Sequence, residues 1–358
     1  MPLDSYLTLG KSGLRVSPFC LGAMTFGEES EIGANEEVSK RVLARYLEQG
    51  GNFIDTANAY ARGHSEKIIG DFFAGNRSGR DRAVIATKFF FNLYPRDPNG
   101  GGAGRKSIFA QCEQSLRRLQ TDYIDLYWLH NWDKFTPVEE TMRALDDLVG
   151  SGKVRYIGFS DAPAWKISQA QTIARFRGWS PLIAVQLEYS LLERTIEGEH
   201  IPMAQELGMG VLPWSPLKGG ALTGKYGREK VTGPRARFVG ELSERHYKVI
   251  DELRNIGGEI GAAPATVALA WVQNQPGVSS TIIGARTVEQ LDINLKALEV
   301  KLSAEQRKAL NALSAPVLNF PADFNTRLSP SFAHAGATVN GEATQLVPMV
   351  PKTDAERY

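Results

Sequence analysis

The sequence is poor in the features that mark secreted, metal-binding or charge-driven proteins. Cysteine occurs twice in 358 residues, at Cys20 and Cys112, far apart and outside any metal or redox spacing. No disulfide framework or metal site is expected, and a reduced cytoplasmic compartment fits best. Neither sign of charge dominates: 41 Lys and Arg face 40 Asp and Glu, for a formal net charge of +1. No strong field is available to recruit nucleic acid or an anionic membrane. No apolar run approaches the length of a membrane span, and the start, Met-Pro-Leu-Asp-Ser-Tyr, lacks a targeting pattern.

What is present is globular in character, with 42% hydrophobic and 23% charged residues. Short β-type runs alternate with longer helical patterns, which points to a parallel α/β fold. Gly10-Lys11-Ser12-Gly13 reads as a hairpin turn between residues 6–9 and 14–17. Strands are then predicted at 19–22, 53–55, 83–88, 123–130, 154–160, 185–189, 210–214 and 280–283. Helices are predicted between them, at 36–48, 65–73, 107–119, 164–176 and 200–207, and from 243, 264 and 287 onward. Ser65 is a candidate N-cap, and Thr136-Pro137-Val138-Glu139, Thr287–Gln290 and Ser303–Gln306 read as capping boxes. Eight repeats plus a hairpin favour a (β/α)8 TIM barrel over residues 1–314, with an extra C-terminal helix. An open doubly wound sheet would need a Gly-rich turn after an early strand; the run Gly100–Gly104 lies in a long loop instead. Residues 315–358 show no sustained period and read as an irregular tail, with a flap over the barrel mouth as the sharper alternative, carried by Phe320, Phe324 and Phe332.

In such barrels the strand ends and the loops after them build the site. Asp55, Lys88 and His130 end the second, third and fourth strands, and Tyr60 follows Asp55 by five residues. Taken singly, each has a plain structural role open to it: a turn cap, a surface lysine, a satisfied histidine, a packing aromatic. Together they form a proton-transfer set. Hydride addition to a carbonyl leaves an alkoxide that needs a proton. A tyrosine hydroxyl can give it, an adjacent ammonium lowers the phenol pKa, and a carboxylate holds the ammonium. A histidine can orient and polarise the carbonyl oxygen.

Asn52-Phe53-Ile54-Asp55-Thr56-Ala57-Asn58-Ala59-Tyr60, followed by Gly63-His64-Ser65-Glu66, resembles the signature of the aldo-keto reductase superfamily. Lys88 after Val84-Ile85-Ala86-Thr87, and Asp125-Leu126-Tyr127-Trp128-Leu129-His130, match its next two strand ends in order. The resemblance runs from about Leu7 to about Leu313 and includes the aryl-alcohol dehydrogenase-like and potassium-channel β-subunit-like branches. It implies a catalytic tetrad of Asp55, Tyr60, Lys88 and His130. It also implies a nicotinamide site at Ser160, Asp161 and Gln186 with Trp214 stacked on the ring. Many members have asparagine where this chain has Asp161, and a carboxylate cannot donate to the carboxamide oxygen. The loop of Ser215, Leu217, Gly219 and Lys225 would wrap the pyrophosphate. Gly284, Arg286, Gln290 and Asn294 would meet the adenosine end, with Arg286 on a 2′-phosphate. That favours NADPH/NADP+, with NADH possible. Ile293 stands where some members have a glutamate near the adenine, so different adenine contacts are expected.

Met24, Phe26, Phe90, Phe91 and Trp132 follow strand ends and would line an apolar mouth for a hydrophobic aldehyde or ketone. The first expectation is an NADPH-dependent carbonyl reductase acting on a small molecule, with no nucleic-acid or membrane partner. Alternatives are a dehydrogenase working mainly toward alcohol or sugar oxidation, and a cofactor-binding regulatory module.

Overall fold

The structure, a computed structural model, describes residues 1–29, 31–228, 236–351 and 353–357. A short hairpin, β1 (Leu7–Thr8) and β2 (Arg15–Val16), precedes eight parallel strands. These are β3 (Phe19–Gly22), β4 (Phe53–Asp55), β5 (Val84–Phe89), β6 (Ile124–Leu129), β7 (Val154–Ser160), β8 (Leu182–Glu188), β9 (Gly210–Trp214) and β10 (Thr281–Gly284). They pair in the order β10-β3-β4-β5-β6-β7-β8-β9. The ring is drawn together between β9 and the segment before β10, where Val211 N donates to Gly277 O at 3.1 Å and Ser279 N to Val211 O at 2.9 Å. This is the expected (β/α)8 barrel.

The helices that cover it are α1 (Glu36–Glu48), α2 (His64–Phe73), α3 (Arg77–Arg82), α4 (Arg105–Leu119), α5 (Val138–Gly150), α6 (Ala164–Arg177) and α7 (His200–Leu207). After β9 come α8 (Ala236–Val239), α9 (Glu244–Ile260), α10 (Pro264–Gln273), α11 (Val288–Leu295) and α12 (Ala304–Ser314). The predicted long loop after Trp214 contains α8, and its residues 229–235 lie outside the described ones. Among the described residues no helix is long and apolar enough to cross a membrane.

Each barrel strand is buried on both faces, so its two parities serve two cores. Ile54, Ile85, Phe89, Tyr127, Leu129, Val185 and Val211 face outward into the layer shared with the helices. Phe53, Val84, Ala86, Leu126, Trp128, Ala184 and Leu212 fill the barrel interior. Trp128 is fully buried there. Its indole occupies the space a side chain at Gly158 would need. The hairpin seals the opposite end: Leu9 and Val16 join the interior core, and Lys11 N donates to Gly208 O at 2.8 Å. The open end is therefore the C-terminal one, where loops can carry function.

Two predicted caps are corrected. Helix α2 starts one residue early behind Gly63, whose φ is 94°, and Ser65 Oγ bonds Ala23 O instead at 2.8 Å. Helix α5 starts after Pro137, and Thr136 Oγ1 donates to Asp133 at 2.7 Å. The Ser303–Gln306 box forms as expected. At Thr287 only half a box forms, because the Gln290 side chain turns to Arg286 N.

The tail has more local structure than its composition suggests: α13 (Ala322–Arg327), α14 (Ser329–His334) and a hairpin of β11 (Thr338–Val339) and β12 (Glu342–Ala343). Phe324 packs against Phe320 and Phe332 at 6.1 and 6.0 Å, and all three rings stay exposed. Leu318 and Ala322 sit against Gly198, beyond the end of β8.

Candidate active site

Strand parity builds the site. Successive side chains alternate faces, so the inward set continues from Phe53 to Asp55, from Ala86 to Lys88 and from Trp128 to His130. On the other side it runs from Gly158 to Ser160, from Ala184 to Gln186 and from Leu212 to Trp214. Parallel register levels these ends, pairing Gly22 with Asp55, Lys88 with Trp128, Ser160 with Gln186 and Glu188 with Trp214. Tyr60 comes from the loop after β4, where Thr56 N bonds Ala86 O at 2.9 Å and Asn58 N bonds Lys88 O at 3.0 Å.

The four expected catalytic side chains meet. Lys88 Nζ, fully buried, donates to Asp55 Oδ2, to Thr56 O at 2.9 Å and to Tyr60 Oη at 3.2 Å. The His130 ring lies edge-on to Tyr60, with centroids 5.7 Å apart, and edge-on to Phe91 at 4.8 Å. Burial would disfavour the Lys88 ammonium, but Asp55 and Tyr60 outweigh it and raise its pKa. His130 is pushed down to about 2 by burial and by Lys88, so its imidazole is neutral, and its buried Nδ1 has no hydrogen-bond partner among the described residues.

One electrostatic expectation is reversed. Lys88 does lower the Tyr60 pKa, but burial outweighs it, and Asp55 and Asp161 add to the rise. Burial of the phenol costs more than the Lys88 ammonium returns, even with the two in hydrogen-bond contact. Tyr60 is therefore protonated at neutral pH, the form that donates.

The residues expected around a cofactor surround the same mouth. Gln186 Nε2 donates to Asp55 Oδ1 at 3.0 Å and so steadies the carboxylate. Ser160 is buried at the end of β7. Asp161 follows it with φ of 45° and accepts from Trp214 Nε1 at 3.0 Å. Phe90 and Ser215, also just past strand ends, have φ of 127° and 51°. Left-handed backbone at non-glycine residues costs about 1–3 kcal/mol each, and such strain clusters at functional sites.

Beyond β9, Ser215 Oγ accepts from Gly219 N at 3.1 Å, and Leu217 packs on the core. Gly219 has φ of 62°, and a Cβ there would stand 2.7 Å from the Phe238 carbonyl, so the turn requires glycine. Lys225 is exposed, with its ammonium 4.7 Å from the Tyr226 ring centroid. At the start of α11, Gln290 Oε1 accepts from Arg286 N at 2.9 Å, and Asn294 Nδ2 donates to Gly284 O at 3.1 Å. Both side chains hold the loop. Arg286 Nε is buried with no partner among the described residues, and the space where a Gly284 Cβ would stand is open. An orphaned guanidinium nitrogen beside open space at a helix start fits a phosphate.

On the substrate side, Met24 is exposed, Phe90 and Trp132 are partly buried, and Phe91 faces His130. Phe26 departs from the expectation. It is fully buried in the outer core, so it backs the mouth rather than lining it.

A supporting layer was missed by sequence reasoning. Asn58 Nδ2 donates to Phe91 O and to Gln111 Oε1, both at 2.8 Å, and Phe90 N donates to the same Gln111 oxygen at 2.9 Å. Glu66, fully buried, accepts from Thr87 Oγ1 at 2.5 Å and Arg118 Nε at 2.6 Å. The available signal was a polar Gln111 between apolar Ile108 and Cys112 on the buried face of α4.

Comparison with known proteins gives the family of the chain. The family model "Aldo/keto reductase family" matches residues 18–315. The chain belongs to the aldo/keto reductase family. An oxidoreductase of Bacillus subtilis is 41% identical, over 86% of this chain and 94% of its own. Norsolorinic acid reductase stcV of Emericella nidulans is 39% identical, over 82% and 77%. An aryl-alcohol dehydrogenase [NADP(+)] of Phanerodontia chrysosporium is 37% identical, over 84% and 83%. This aldo/keto reductase is an enzyme acting on carbonyl or alcohol groups.

Proposed function

We propose that the protein reduces an aldehyde or ketone to the alcohol, reversibly, with NADPH as hydride source and Tyr60 as general acid. The observation that carries this reading is the bonded set Asp55–Lys88–Tyr60 beside a neutral His130 at the open end of the barrel. A bound nicotinamide supplies the hydride. Tyr60 gives its proton to the oxygen of the reacting carbonyl, and the phenolate left behind faces the Lys88 ammonium. Asp55 keeps that ammonium charged and aimed, and Gln186 keeps Asp55 aimed. His130, neutral and packed edge-on between Tyr60 and Phe91, hydrogen bonds the carbonyl oxygen. In the alcohol-oxidising direction the Tyr60 phenolate takes the proton back.

Arg286 supports NADPH over NADH, because its unpaired Nε can pair a 2′-phosphate. The aromatic rim of Phe90, Phe91 and Trp132 supports a hydrophobic small-molecule substrate. The two unpaired buried cysteines support a cytoplasmic setting, and the balanced charge speaks against nucleic-acid or membrane partners. The test is turnover of an aryl aldehyde and ketone panel, and of the matching alcohols, with each cofactor. NADPH-dependent reduction is expected, and Arg286→Ala should weaken NADPH far more than NADH. No turnover with either cofactor, in either direction, would refute the reading.

A further inference from the structure

Of the carboxylates at the strand ends around the tetrad, Asp55 and Glu188 each face a lysine and Asp161 does not. Asp55 neutralises Lys88, and His130 is neutral. Glu188, at the end of β8, pairs with Lys218 at 2.7 Å, and Glu193 lies 4.0 Å from the same lysine at the rim. Asp161 has no such partner among the described residues. Its hydrogen-bond donor is the uncharged indole of Trp214, and the ammonium it senses is that of Lys88, already paired with Asp55. Burial pushes its carboxyl up to about 6, with Glu188 adding to the rise. Above that pH the site holds an uncompensated, partly buried carboxylate on strained backbone, bonded to the edge of the Trp214 indole at the strand ends. A buried charge without a counter-ion is costly, so such a group fits a ligand that brings the opposite charge.

We propose that Asp161 is the counter-charge for the oxidised nicotinamide ring and so biases the bound cofactor toward hydride donation and carbonyl reduction. This inference rests on the nicotinamide reading above. The oxidised ring carries a positive charge that the reduced ring lacks. In reduction, hydride goes to the carbonyl carbon, the Tyr60 proton goes to its oxygen, and the positive charge appears on the ring. A fixed carboxylate stabilises that charge as it develops, and favours the oxidised form once it has formed. Trp214 donates to Asp161 from its ring edge and so holds the carboxylate beside the indole on which a nicotinamide would stack.

The test compares affinities within one ligand pair, so the phosphate contacts cancel. Full-length protein is titrated with NADP+ and with NADPH, following tryptophan fluorescence. Asparagine tolerates left-handed backbone and can still accept from Trp214, so Asp161→Asn should keep the fold, checked by its thermal melt. At pH 8 this variant is expected to raise the ratio of the NADP+ to the NADPH dissociation constant by about tenfold, the scale of one charge pair in a half-wet site. In the native protein, acidifying from about pH 8 to pH 5 protonates Asp161 and moves the ratio the same way. Tyr60, Lys88, Glu188, Glu193, Lys218 and His200, the titratable groups nearest Asp161, are the same in both proteins, so the part of the pH response absent from the variant belongs to Asp161. An unchanged ratio, or equal weakening of both forms, overturns the inference and leaves the proposed function standing. Failure of the native protein to bind either form overturns both.

Discussion

Replacing Tyr60 by phenylalanine removes one oxygen atom and leaves the ring, its packing on His130 and the strand-end loop in place. The oxygen accepts one hydrogen bond, from Lys88 at 3.2 Å, and Lys88 retains Asp55 and Thr56 O. The cost in stability is then about 1 kcal/mol or less, the net worth of one hydrogen bond with its donor still satisfied. The cost in turnover is far larger, because no other group with a transferable proton bonds Lys88 in this set. Loss of a positioned general acid slows a reaction by about 10²–10⁴-fold, or roughly 3–5 kcal/mol of barrier. The assay is single-turnover reduction of an aryl aldehyde by pre-bound NADPH, with cofactor affinity measured on the same preparation by fluorescence. Affinity is expected to hold within about twofold while the chemical step falls by at least two orders of magnitude. A fall smaller than about tenfold would refute the proton-donor role.

Two further outcomes follow from the same geometry. Lys88→Met strands Asp55, which is 2% exposed, without its cation; breaking a buried pair this way costs about 3–5 kcal/mol, read as a lower urea midpoint, and a loss below about 1 kcal/mol would contradict the pairing. His130 has its pKa depressed, so its imidazole stays neutral as pH falls through the usual range near 6.5 and gains charge only near 2; a histidine NMR titration with a His130 midpoint near 6.5 would contradict the buried, neutral ring.

Much of the fold was legible because the barrel repeats a local pattern. The expected spans of β3, α1, β7 and β9 coincide with the observed ones, since each apolar run is bounded by glycine, proline or a polar cap. The misses share a cause. Ser65 and Thr136 have cap-forming side chains, but tertiary partners, Ala23 O and Asp133, took their hydroxyls. Phe26 stands where an exposed aromatic would line a pocket, yet the loop turns it into the core. Gln111 and Glu66 do their work across gaps of twenty to fifty residues that no local pattern records.

By itself the sequence determined the architecture and the chemical inventory: eight strand–helix repeats, and an aspartate, a tyrosine, a lysine and a histidine at or just beyond successive strand ends. Tertiary structure decided which way these residues face and what their surroundings do to them. A barrel strand is apolar on both sides, so its sequence carries no polar/apolar alternation to mark the inward parity; only closure of the sheet selects 55, 88 and 130 over their neighbours. Burial then raised Tyr60 against the pull of Lys88, and the fold gave Asp161 an indole rather than a cation of its own as partner. Both effects depend on distance through space between segments far apart in the chain, and for that reason only the folded molecule could express them.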